Sequence, residues 1–82
     1  MDKLREEIDE IDENLMNLLF QRFTVIQQIG KYKKQNNIPI HDDARENEIY
    51  DKIKDKFLLD NVRNFIISVY GTMLTESKMA QH

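Results

Sequence analysis

The sequence contains no cysteine, so neither a disulfide framework nor a cysteine metal centre can hold it together. Its two histidines, His41 and His82, are isolated and form no ligand constellation; no metal is expected. No apolar run approaches membrane-spanning length, so no membrane partner is expected either. The opening Met1-Asp2-Lys3-Leu4-Arg5-Glu6-Glu7 is too charged for a secretory signal, which leaves a cytoplasmic protein as the default. A basic face is missing as well. A net charge of −3, with 33% of residues charged, argues against a nucleic-acid binder. Lys31, Lys33 and Lys34 form a small basic cluster that reads as a solvated helix face. Repeats, low-complexity segments and strand patterns are absent too.

What remains is helix. At 82 residues the chain is a single domain, 1–82, near the lower size at which a core folds without staples. Residues from about 3 to 36 hold one glycine (Gly30), no proline and a sustained helical period. They read as one helix of about 34 residues, roughly 50 Å long. A compact globule of this length has a radius of gyration of about 12 Å, so the helix outruns its own domain. Its far half needs cover, and a second copy of the chain is the expected source. Asn36-Asn37-Ile38-Pro39 ends it, because proline disfavours helix in the residue before it. Asp42 or Asp43 caps a second helix, with Glu46 three residues after Asp43 as in a capping box. That helix runs to about Phe57 with Ile49, Ile53 and Phe57 on one face. A third starts at Asp60 or Asn61, turns Val62, Ile66, Val69, Tyr70 and Met73 inward, and reaches nearly to the C-terminus. The expected fold class is all-α: three helices, the first very long.

Polar residues interrupt every apolar face. Steps of four and three along the first helix give Leu4, Ile8, Ile11, Leu15, Leu18, Arg22, Val25, Ile29 and Lys33, a seam with a cation in its middle and another at its end. A buried cation without a partner costs several kcal/mol, and the stripe offers no carboxylate. On the second helix Glu46 joins the stripe of Ile49 and Ile53, with Asp42 ahead of it and Arg45 on the flank. On the third, Ser77 continues the stripe beyond Met73 and Gln81 follows at its edge. Internal salt bridges, such as Glu46 with Arg22, explain any one of these. The whole set of cations, acid and neutral donors describes a pocket for a polyanion that also bears a hydroxyl. Arg5 lies about 25 Å along the helix from Arg22. It is either a surface arginine pairing with Asp9 or the contribution of an antiparallel partner helix to this chain's Arg22.

Taken in order, Leu4-Arg5-Glu6-Glu7-Ile8-Asp9, Ile11-Asp12, Arg22, Ile29-Gly30-Lys31-Tyr32-Lys33, Pro39-Ile40-His41-Asp42-Asp43-Ala44-Arg45-Glu46 and Glu76-Ser77-Lys78-Met79-Ala80-Gln81 resemble the all-helical chorismate mutases in their short, monofunctional form. The resemblance covers nearly the whole chain and implies an intertwined helical homodimer with two equivalent sites. It implies that Arg22 and a partner chain's Arg5 grip the substrate carboxylates. Lys33 corresponds to the contact to the breaking ether oxygen and a carboxylate, and Gln81 to the second donor to that oxygen. Asp42 and Glu46 correspond to the positions that hold the ring hydroxyl, with Arg45 beside them, and Ser77 pairs with Gln81 on the third helix. Thr72 and Glu76 share the same spacing; aligning them instead requires a larger deletion between helices two and three, and Thr72 falls off the apolar stripe. Phe23 and His41 stand where relatives often carry basic residues, and Gln81 is penultimate, where fraying weakens a contact.

The implied reaction is the Claisen rearrangement of chorismate to prephenate in aromatic amino-acid biosynthesis. It involves no proton transfer and no covalent intermediate, so neither cofactor nor metal is expected. Two other readings fit the same residues: isochorismate-pyruvate lyase on the same fold, and a non-catalytic helical dimerisation module whose interior charges are salt bridges.

Overall fold

The computed structural model describes residues 1–82. It contains three helices, α1 (Asp2–Gln35), α2 (Asp43–Lys56) and α3 (Asp60–Ala80), and no strand. None of the helices is long and apolar enough to cross a membrane.

Unbroken helical period carries α1 through 34 residues, with Asp2 in its first turn and Lys33 and Lys34 in its last, each complementing the helix dipole. Its stop is made by Asn37 rather than by Pro39. Asn37 takes a positive φ of 55°, a conformation asparagine tolerates better than most residues. The Ile38 N–H then reaches back to the Lys33 carbonyl at 2.8 Å and that of Asn37 to Lys34 at 3.4 Å. These are the paired bonds of a Schellman stop, and Pro39 only prevents resumption. At α2 the cap is Asp42, whose carboxylate accepts from the Arg45 N–H at 3.0 Å. A capping box built on Asp43 and Glu46 does not form, since Asp43 is already helical.

Packing is carried by α3, which lies against both α1 and α2, while α1 and α2 do not pack on each other. The buried apolar residues, Ile26, Ile53 and Leu74, come one from each helix. Against α3 the long helix turns Ile26 and Gly30, one step around from the stripe read in the sequence. Most of that stripe is therefore open within the chain. Leu4, Ile8, Ile11, Leu15 and Leu18 are 47–61% exposed, and from Met1 to Gln21 every residue but Asp12 is exposed. The reason is reach: α3, at 21 residues, is about 31 Å long and covers only the C-terminal half of α1. The molecule measures 51 × 26 × 15 Å with a radius of gyration of 15.5 Å, well above the roughly 12 Å of a compact chain this long.

Candidate active site

Where α3 crosses the C-terminal half of α1 and the start of α2, the three helices enclose a cavity of about 320 Å³. That is the lower end of the range for small-molecule sites. Arg22 and Lys33 enter it from α1, Asp42, Arg45 and Glu46 from the start of α2, and Ser77 and Gln81 from α3. Ile26, Ile29, Ile49 and Leu74 supply apolar wall. Seven of the eight residues singled out in the sequence thus line one cavity. The eighth, Arg5, is exposed on the free half of α1 and forms no ion pair with Asp9 or any other acid.

Arg22 and Lys33 are half-buried, and no carboxylate of the chain pairs with either. Arg22 donates instead to the Ser77 hydroxyl, which itself donates to the Met73 carbonyl at 2.6 Å. Lys33 Nζ donates to the Ile40 carbonyl at 2.9 Å, tying the loop before α2 to α1. A Glu46–Arg22 salt bridge does not form. Glu46 pairs across to α3, with Lys78 Nζ 3.6 Å from Oε1. Arg45 turns partly outward to Glu48 at 3.1 Å. Two cations therefore face a cavity with neutral partners only, an arrangement that leaves their charge available to an anion.

Backbone proximity sets the far wall. A Cβ on Gly30 would sit 2.4 Å from the Gln81 carbonyl oxygen and 2.8 Å from its Cα, so only glycine lets the end of α3 approach α1 this closely. Gln81 Nε2 donates to the Ser77 carbonyl at 3.3 Å, while its buried Oε1 has no partner. Such an orphan oxygen is costly unless something fills the site.

Thr72 and Glu76 are exposed and face a different space. They border an apolar trough of about 520 Å³ between α1 and α3, with Leu19, Phe23, Val69 and Met73. Arg22 and Ser77 border both spaces, so the trough opens beside the cationic cavity. Lys78, which also lines that cavity, was not among the residues read from the sequence. Its only signal there is adjacency to Ser77, because helical period places it off the stripe.

Comparison with known proteins agrees in kind. Residues 4–82 match the family described as chorismate mutase type II. The chain is 32% identical over 80 residues to a chorismate mutase of Methanocaldococcus jannaschii, an alignment covering 96% of this chain and 81% of that protein. It is 47% identical over 51 residues to a bifunctional chorismate mutase/prephenate dehydratase of Aquifex aeolicus, covering 62% of this chain and 14% of the relative. A bifunctional protein of the same description from Buchnera aphidicola is 32% identical over 78 residues, which is 94% of this chain and 20% of the relative. The chain thus spans less than a quarter of either bifunctional protein. No solved structure matches it significantly.

Proposed function

The chain belongs to the type II chorismate mutase family, and from that membership we propose that it rearranges chorismate to prephenate in the cavity between its three helices. One observation carries the assignment of the cavity: Arg22 and Lys33 face it without a carboxylate partner. The substrate is a dianion with a ring hydroxyl, and its rearrangement breaks one C–O bond as one C–C bond forms. Two physical tasks suffice. The flexible substrate is held in its folded conformer by pinning both carboxylates, an orientation effect. Fixed donors then meet the ether oxygen as negative charge grows on it.

Arg22 takes one carboxylate, its planar fork matching the two oxygens. Lys33 reaches the ether oxygen and a carboxylate, and Gln81 is the second donor to that oxygen. Glu46 accepts from the ring hydroxyl, with Asp42 and Arg45 beside it, and Ser77 holds Arg22 in place. The neutral company of Arg22 fits a site that awaits an anion, and Gln81 keeps one amide N–H beyond its bond to the Ser77 carbonyl for the ether oxygen.

The working unit is a homodimer, in which Arg5 of the partner subunit completes each site. The open half of α1 supports this, and so does its charge. Residues 2–13 carry seven acids against two bases, while 14–35 carry Arg22, Lys31, Lys33 and Lys34 with no acid. Two antiparallel copies of α1 therefore set opposite charges side by side and bring Arg5 towards Arg22. The apolar trough beside Arg22 offers the second helix a seat. The proposal places the protein in the cytoplasm, acting on a freely diffusing small molecule.

Chorismate incubated with the purified protein should lose its ultraviolet absorbance and yield prephenate, and sedimentation should give twice the chain mass. No turnover overturns the activity, as does release of pyruvate and salicylate from isochorismate as the sole reaction. A fully active monomer overturns the shared site.

A further inference from the structure

At the cavity wall, Glu46 is joined by three side chains that the mechanism above leaves unused, His41 and Asp43 around the start of α2 and Lys78 near the end of α3. His41 Nε2–H donates to Asp43 Oδ1 at 2.6 Å, which leaves Nδ1 as an acceptor. The Lys78 ammonium donates to that Nδ1 at 3.4 Å and lies 3.6 Å from Glu46 Oε1. His41 Nδ1 and Glu46 Oε2 are 3.5 Å apart, so one ammonium serves both. The His41, Asp43 and Glu46 ligand atoms all lie within 4.8 Å of one another. The Lys78 ammonium already provides positive charge against two of them.

We propose that Lys78 is a positioning residue that fixes the Glu46 carboxylate for the substrate's ring hydroxyl, with His41 holding Lys78 in turn. The inference rests on the chorismate mutase reading and extends it to residues outside the inferred ligand set. Its logic is one of donors and acceptors. Arg22, Lys33 and the Gln81 amide N–H groups suit anions and the ether oxygen, whereas a hydroxyl also needs an acceptor. Asp42 is exposed and its Oδ1 caps α2, which leaves Glu46, half-buried at the cavity wall, as the carboxylate held within the site. Bringing a bare carboxylate up to a dianion is repulsive. An ammonium beside Oε1 offsets that repulsion, joins α2 to α3 and fixes the rotamer of the carboxylate. The ring hydroxyl is remote from the breaking bond, so its loss removes binding common to ground and transition states.

The test uses the intact protein with two substrates, chorismate and chorismate whose ring hydroxyl is replaced by hydrogen. Lys78→Met should raise KM for chorismate roughly tenfold, as expected for a bond involving charged groups, with kcat nearly unchanged. Lys78→Arg should restore most of it, and His41→Ala should shift KM in the same direction by less. On the deoxy substrate wild type and Lys78→Met should have equal KM. A folded Lys78→Met protein with wild-type KM for chorismate overturns the proposal and leaves a surface ion pair. An equal rise on both substrates also overturns it, because Lys78 then contacts a substrate carboxylate directly. Lys78→Gln, read by the same comparison, decides the matter if the methionine variant does not fold. Wild-type protein inactive on chorismate would refute the activity reading itself and this inference with it; active wild type confines failure to Lys78.

Discussion

Gly30→Ala separates stability from catalysis at a single atom. The added Cβ would meet the Gln81 carbonyl oxygen at 2.4 Å, its Cα at 2.8 Å and its carbonyl carbon at 3.0 Å. All three are backbone atoms, so no side-chain rotation relieves the clash. Ordinary contact begins at 3.4 Å, so the last turn of α3 must retreat by about 1 Å, a displacement on the scale at which misplaced groups lose roughly 10²-fold in rate. That turn is the part that yields. Its bonds, Gln81 N–H to Lys78 O at 3.2 Å and His82 N–H to Met79 O at 3.3 Å, are longer than the usual 2.9–3.0 Å, whereas α1 is continuous through Gly30. Alanine in a helix interior is worth about 1 kcal/mol over glycine, and overpacking costs about 1–3 kcal/mol. The terms largely offset, for a net loss of about 0–2 kcal/mol. The expected result is a melting temperature, followed by circular dichroism, that changes modestly. Beside it kcat/KM falls about 100-fold as Gln81 leaves the ether oxygen. A Gly30→Ala protein with full kcat/KM would refute the reasoning, most clearly if it also gained about 1 kcal/mol of stability. Gly30 would then be an ordinary helix residue and α3 would not press on it.

Lys33→Ala should lose about 10²–10³ in kcat as a preorganised donor is removed. It should also cost about 1 kcal/mol of stability, read by urea unfolding, because the Ile40 carbonyl loses its partner; near-normal kcat in the folded variant removes Lys33 from the reaction. Arg5→Ala and Arg22→Ala should each be nearly inactive as homodimers. Refolding the two together at equal amounts should make about half of the dimers mixed, each with one intact site, and return roughly a quarter of wild-type activity per chain. No single α1 can offer both residues to one small dianion across about 25 Å. A mixture that stays inactive despite confirmed subunit exchange would refute a shared site.

Much of the fold is legible in local terms. A 3.6-residue period unbroken by proline makes α1 (Asp2–Gln35) as long as the sequence suggests, and Asp42 caps α2 because its short carboxylate reaches the Arg45 N–H. The cations also announce themselves, since Arg22 and Lys33 occupy apolar steps of a helical stripe. Helical period names a face without naming its partner. The stripe from Leu4 to Ile29 looks like a core, yet within the chain α3 meets Ile26 and Gly30 instead. The most apolar face of α1 is left open.

The third helix marks the boundary most sharply. Val62, Ile66, Ile67, Tyr70, Met73 and Leu74 are all at least half-buried, so apolar side chains surround much of its circumference. Thr72 and Ser77 differ by about 140° around such a helix; the stripe through Met73 favours Ser77 but does not say what either residue faces. Packing against α1 and α2 at once makes the choice: Ser77 and Gln81 face the cationic cavity and Thr72 and Glu76 the apolar trough. By itself the sequence determined the three helices, their ends within a residue or two, and the misplaced charges that point to an anion. Only tertiary structure decided that Arg22 has no carboxylate, that Glu46 belongs to Lys78, and that Gly30 admits the end of α3. The physical reason is range: caps and periods act within one or two turns of helix, whereas these contacts join residues from different helices, and only packing brings those together.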